Sequence, residues 1–231
     1  MAVFACGGES EEVPLFEDID GELASSLETC EPLTANAREW CAFDILSQNP
    51  PPGAELLEIC SQLSSVVRDR CIELSVRVEE PANASACDQI TDQQVQYSCR
   101  LHGAEHAADR GALIEGLGLC HQTGDMERFC HYHLVQGSID RWHRGNGLVQ
   151  LQTDLESLIS QIPAPDPGLI PFIGRAAVDL GGRPSLDPVC EVFDRHATLQ
   201  SECERFYREY YVAGPERRRE LRQGAQPSWP N

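Results

Sequence analysis

The chain contains no lysine; all 18 of its basic residues are arginine. It also lacks any apolar run approaching the ~20 residues a membrane helix needs, so no membrane-spanning helix is expected. No C-x-x-C occurs, which excludes a zinc ribbon and a thioredoxin-type dithiol, and no C-x-x-C-H occurs, which excludes attached c-type haem. G-x-S-x-G, G-x-x-x-x-G-K-[ST] and G-x-G-x-x-G are absent too, so no motif names a reaction and no enzyme is expected. Positive charge is scarce: 37 acidic residues against 18 arginines give a net charge of −19. A phosphate backbone requires a basic surface, so nucleic acid is not an expected partner. Residues 1–80 hold 17 acidic residues and 4 arginines, net −13, which reads as a solvated, self-repelling face.

Eleven cysteines are present among 231 residues. With Cys6 set aside, ten fall into five near pairs: Cys30/Cys41, Cys60/Cys71, Cys87/Cys99, Cys120/Cys130 and Cys190/Cys203. An even set of regularly paired cysteines reads as a disulfide framework, which requires an oxidising compartment. The first members of the pairs lie 30, 27, 33 and then 70 residues apart, the last gap being two units of 35. One unit, near 146–180, has therefore lost its cysteines. A period near 30 to 35 is the signature of a helical-hairpin array.

Two connectivities fit the spacing. If a turn lies inside each pair, one cysteine ends a helix, the next begins its antiparallel partner, and the bridge staples the hairpin. Pro32–Asn36, a capping-box pattern Thr91–Gln94 with its cap on Thr91, and Thr123–Asp125 supply such turns. If instead both cysteines sit on one helix, 11 residues put them ~16 Å apart, and bridges would run Cys30–Cys71 and Cys41–Cys60. The variable spacing, and a fifth pair with no neighbour to exchange with, favour the local staples.

The helical periodicity predicts elements at 19–31, 36–48, 54–63, 65–79, 83–90, 92–108, 110–121, 125–139, 148–162 and 169–180, with a last stapled pair over 188–213. The expected fold is all-α, a solenoid-like array of antiparallel helical hairpins, each stapled by a local disulfide. Residues 1–18 read as an acidic flexible tether, 19–145 as four stapled hairpins, 146–213 as two further hairpins of which the second is stapled, and 214–231 as a disordered tail. The cluster Phe206, Tyr207, Tyr210 and Tyr211 reads as helix packing.

The stapled pattern resembles disulfide-stapled helical repeat proteins of the Sel1-like cysteine-rich family in architecture only. The alternative connectivity resembles mitochondrial twin-cysteine hairpins. Val3-Phe4-Ala5-Cys6 resembles the end of a bacterial lipoprotein signal, the lipobox, in which the cysteine becomes the lipidated first residue. That resemblance implies lipidation at Cys6, a membrane contact through the lipid anchor alone, and export to the periplasm, outer membrane or cell surface.

Six of the seven histidines lie between 102 and 143. His102 and His106 stand at i, i+4, one face of a helix, and with His131 and His133 form a candidate Zn²⁺ or Cu²⁺ site. His121 and His131 each follow a cysteine of the fourth pair, so a staple would hold them close. The function expected is an exported, envelope-associated binding or scaffold protein with an unidentified protein partner; the alternative is a periplasmic metal-binding protein. If the ten paired cysteines are bonded, native material has an intact mass lower by ten protons than reduced material. Ten free thiols in native material would contradict this reading.

Overall fold

The computed structural model describes residues 21–78, 83–141, 147–179 and 188–224. Every regular element among them is helical: α1 (Glu22–Glu28), α2 (Ala35–Gln48), α3 (Gly53–Cys60), α4 (Ser65–Val78), α5 (Gln93–Arg110), α6 (Leu113–Cys120), α7 (Glu127–Arg141), α8 (Gly147–Ile159), α9 (Leu169–Asp179), α10 (Ala197–Val212) and α11 (Pro215–Gly224). Short 3-10 turns occupy Ala84–Gln89, Gly124–Met126 and Pro188–Phe193. Two of them stand where an α-helical first arm was expected, because six residues are too few to sustain α-helical winding. No described helix is long and apolar enough to cross a membrane.

The ten cysteines pair locally: Cys30–Cys41, Cys60–Cys71, Cys87–Cys99, Cys120–Cys130 and Cys190–Cys203, with Cα atoms 5.4–5.8 Å apart. The exchanged, twin-cysteine arrangement is thereby excluded. Each bridge closes a loop 10–13 residues long and contributes about 3 kcal/mol by restricting the unfolded chain. All but Cys41 are buried, so the bridges double as core side chains. Five disulfides fit an oxidising environment of the extracellular kind.

The staples generate two rows. The longer second arms α2, α4, α5, α7, α9 and α10 pack one on the next. On the first-arm side, α6 packs on α8 and α8 on the 188–193 turn. The unit without cysteines is α8 with α9: its backbone packs on the neighbouring units, α8 against α6, α7 and the 188–193 turn, α9 against α7 and α10. In place of a bridge, Ile159, Ile162, Leu169 and Ile173 of this unit are buried in the core shared with its neighbours. Two apolar clusters, one from Leu46 to Cys99 and one from Leu101 to Tyr210, meet along α5. Tyr207 and Tyr210 lie fully inside the second cluster, as packing residues.

One register position carries the contact between successive units. The residue two before the second cysteine reaches the start of the next unit's second arm. Glu39 accepts a hydrogen bond from Ser64 Oγ, just before α4. Asp69 accepts from the Thr91 amide at 2.9 Å, the Thr91 hydroxyl at 2.7 Å and the Asp92 amide at 2.8 Å, just before α5. Tyr97 lies against Gly124 so closely that a Cβ there would meet its ring at 2.6 Å. Arg128 pairs with Asp166, just before α9.

The start of α5 shows how this contact overrides local sequence. Thr91 does not cap the helix; its hydroxyl is taken by Asp69. Asp92 caps instead, accepting from the Gln94 and Val95 amides at 2.9 and 3.0 Å. Gly111 ends the helix at φ +77, and the Ala112 amide bonds back to Ala107 at 2.8 Å.

The tail expected to be disordered over 214–231 is helical from Pro215 to Gly224; residues 225–231, like the tether 1–18, lie outside the described residues. Pro215 suits the first helical position. Arg218 donates to the carbonyls of Tyr210 at 3.0 Å and Tyr211 at 2.8 Å, satisfying the open end of α10, while Arg217 pairs with Glu209.

Asp69 is 1 % exposed. Burial alone would raise its carboxyl, but the hydrogen bonds from Thr91 and Asp92 and the charge of Arg68 hold it below the ordinary carboxylate value. Asp69→Ala removes the acceptor of three bonds to a charged group and is expected to cost about 3 kcal/mol in denaturant unfolding. A loss under about 0.5 kcal/mol, the usual range of a neutral surface change, would show that this contact does not join the units.

Candidate functional site

Five of the histidines, His102, His106, His121, His131 and His133, divide into two groups on opposite sides of the α7 register, and the four expected ligands are split between them. His102, Glu105 and His106 project from α5, and His133 from α7. His102 Nδ1 donates to Glu105 Oε2 at 2.9 Å, and His133 Nδ1 donates to the other oxygen of the same carboxylate. His106 Nε2 donates to the Arg77 carbonyl at 3.0 Å, tying α5 to the end of α4. One carboxylate thus sits between two imidazoles, where a metal ion was expected to sit.

These groups line an open groove of about 430 Å³ along α5 and α7, shared with Arg77, Asp109, Gln136 and Asp140. Burial alone would raise the Glu105 carboxyl. The hydrogen bonds from His102 and His133, with the charge of both rings, more than offset it and bring it down to about 2.

His131 does not join that groove. It lies on α7 one turn from Glu127, at i, i+4, and meets His121, the residue that ends α6. The Cys120–Cys130 bridge fixes this meeting, because each histidine directly follows one of its cysteines. The two rings lie 6.0 Å apart, nearly perpendicular. His121 Nδ1 is 2.6 Å from Glu127 Oε1, and His131 Nε2 is 3.9 Å from the same oxygen. One ligand atom from each of the three residues lies within 4.8 Å of the others; among the described residues no other group of histidine, cysteine and carboxylate side chains converges this closely.

The His131 side chain is 10 % exposed, and its Nε2 is buried with no hydrogen-bond partner. Burial pushes its imidazole below the ordinary value; Glu127 opposes the shift and His121 adds to it. The ring is therefore neutral at neutral pH, with a nitrogen lone pair to offer. His102, His106 and His133 are thus corrected as partners of His131: the rotation of α7 turns residues 131 and 133 to different neighbours. Glu127 escaped the sequence reading, although it stands at i, i+4 from His131 and three before a second cysteine.

The Glu105 shift carries a pH signature. Its folded value lies below the ordinary 4.5, so its contribution to stability is complete above pH 4.5 and is lost as the pH falls through about 2. The stability difference between wild type and Glu105→Gln is expected to shrink across that window in unfolding measurements. A difference that stays constant from pH 4.5 to about 2 would contradict the two-imidazole geometry.

Comparison of the chain with protein-family models, with curated proteins and with solved structures gives no match.

Proposed function

We propose that this chain is an exported, envelope-associated helical-repeat protein that works as a binding scaffold. The observation that supports the reading best is the set of five disulfides, each confined to one hairpin. Such bridges form and persist in a periplasm or at a cell surface. They hold each hairpin rigid and leave the faces of the array free to meet a partner, as extended repeat surfaces do. In this reading Cys6 carries the lipid anchor, residues 1–18 are the tether, and no catalysis is assigned.

The face offered to a partner is the groove along α5 and α7. Glu105, Asp109 and Asp140 outnumber Arg77 there, and the chain as a whole is strongly acidic. A protein partner with exposed lysine or arginine side chains suits that face.

Fractionation of native cells, with thiols trapped by alkylation at lysis, tests the proposal. The expected result is a chain in the envelope fraction with its ten paired cysteines unalkylated, cross-linked in vivo into a species larger than its own 25.6 kDa. A cytosolic chain with free thiols would contradict export. A chain that stays alone at its own mass under cross-linking would contradict the scaffold role.

A further inference from the structure

We infer that His121, Glu127 and His131 form a binding site for a divalent transition-metal ion, matched best by Zn²⁺, at the turn between α6 and α7.

The neighbouring unit provides the comparison. The residues that directly follow its two cysteines are Asp88 and Arg100, and they pair with each other at 2.9 Å. Opposite charges at these positions satisfy one another across the bridge. In the α6–α7 unit the same two positions hold His121 and His131. Two imidazoles cannot complete each other in that way, and the buried Nε2 of His131 is left with no hydrogen-bond partner. A buried polar atom without a partner is destabilising. A cation placed between the two rings uses both nitrogens at once.

The third residue completes the chemistry. Glu127 begins α7, and its carboxylate is within reach of both rings. At the corresponding positions the other stapled units carry Arg38, Arg68, Gln96 and Gln200, none of which brings the anionic oxygen that Glu127 does. Two imidazoles and a carboxylate are a donor set suited to Zn²⁺, with ligand distances of ~2.0 to 2.2 Å. Tetrahedral geometry at those lengths puts ligand atoms ~3.3 Å apart. The observed separations are 2.6 and 3.9 Å to Glu127 Oε1, which bracket that value, and all three ligand atoms lie within 4.8 Å of one another, a spread that side-chain rotation can close. Binding replaces the His121–Glu127 hydrogen bond with a bond from each residue to the ion. Three protein donors leave the fourth position for water or a small solute ligand.

The ion is not needed to hold the turn. Cys120–Cys130 already closes this loop, so a second closure adds little chain entropy. The site is set up by the disulfide, and its stabilising effect should follow occupancy alone.

Calorimetric titration of the oxidised, chelator-washed full chain with Zn²⁺ tests the inference. One ion per chain is expected. Losing a supporting second-layer group costs 10- to 100-fold in metal affinity, so loss of a ligand in His131→Ala should weaken binding by ~100-fold or more. The side chains of His121 and Glu127 are only 44 % and 41 % exposed but lie at the surface end of the turn, so His121→Ala and Glu127→Gln should fold normally and weaken binding as well. Those two variants decide the matter if His131→Ala is poorly folded. His102→Ala should bind as wild type does. Absence of saturable binding by wild type would overturn the inference. So would full affinity in both His121→Ala and Glu127→Gln, or loss of binding in His102→Ala.

Discussion

A disulfide between the end of one helix and the second turn of the next is the constraint on which the rest of this structure depends. In two units it brings the residues that follow the cysteines together, which is how Asp88 meets Arg100 and how His121 meets His131. It also fixes the rotation of each second arm, so that the residue two before the second cysteine faces the next unit. Without the bridge, a first arm as short as Pro188–Phe193 or Ala84–Gln89 could not persist as a helical turn. The covalent bond does locally what a longer amphipathic helix would do by burial.

Between units the bonds are of another kind. The same register position is filled by Glu39, Asp69, Tyr97 and Arg128, an acid twice, then an aromatic ring, then a base. What repeats is the place reached, the start of the next second arm, and each residue brings whatever chemistry that place requires. Asp69 collects two amides and a hydroxyl; Tyr97 covers a glycine; Arg128 neutralises Asp166. The α8–α9 unit, with no bridge, is held from outside by such contacts and by its buried leucines and isoleucines. The array is therefore covalent within its stapled units and non-covalent between them.

Cysteine spacing carried most of the fold into view. Five pairs at 10 to 13 residues could be stapled only if a turn lay inside each, whereas the helix expected from 110 starts at Leu113, because Gly111 takes the left-handed conformation that ends α5. The start of α5 was misplaced by one residue because Thr91 and Asp92 are both good caps, and the competition is settled by Asp69, 22 residues earlier. The helix after Pro215 was hidden by a run of arginines that reads as solvated charge; its partners are carbonyls at the end of α10, which side-chain chemistry does not reveal. The histidines were the hardest case. Two residues apart on α7, His131 and His133 face different neighbours, and only the rotation set by Cys130 decides which ring each meets. The pairing of His121 with His131 was visible from their cysteines, whereas the sharing of Glu105 by His102 and His133 required the packing of α5 on α7.

The central claim is that every bridge lies within one hairpin. Non-reducing digestion at arginine, the only basic cleavage residue in a chain without lysine, followed by mass mapping of the cross-linked peptides, tests it directly. The account predicts Cys30 joined to Cys41, Cys60 to Cys71, Cys120 to Cys130 and Cys190 to Cys203, with Cys87 and Cys99 bridged inside one peptide. Recovery of Cys30 joined to Cys71, or of Cys41 joined to Cys60, would contradict it.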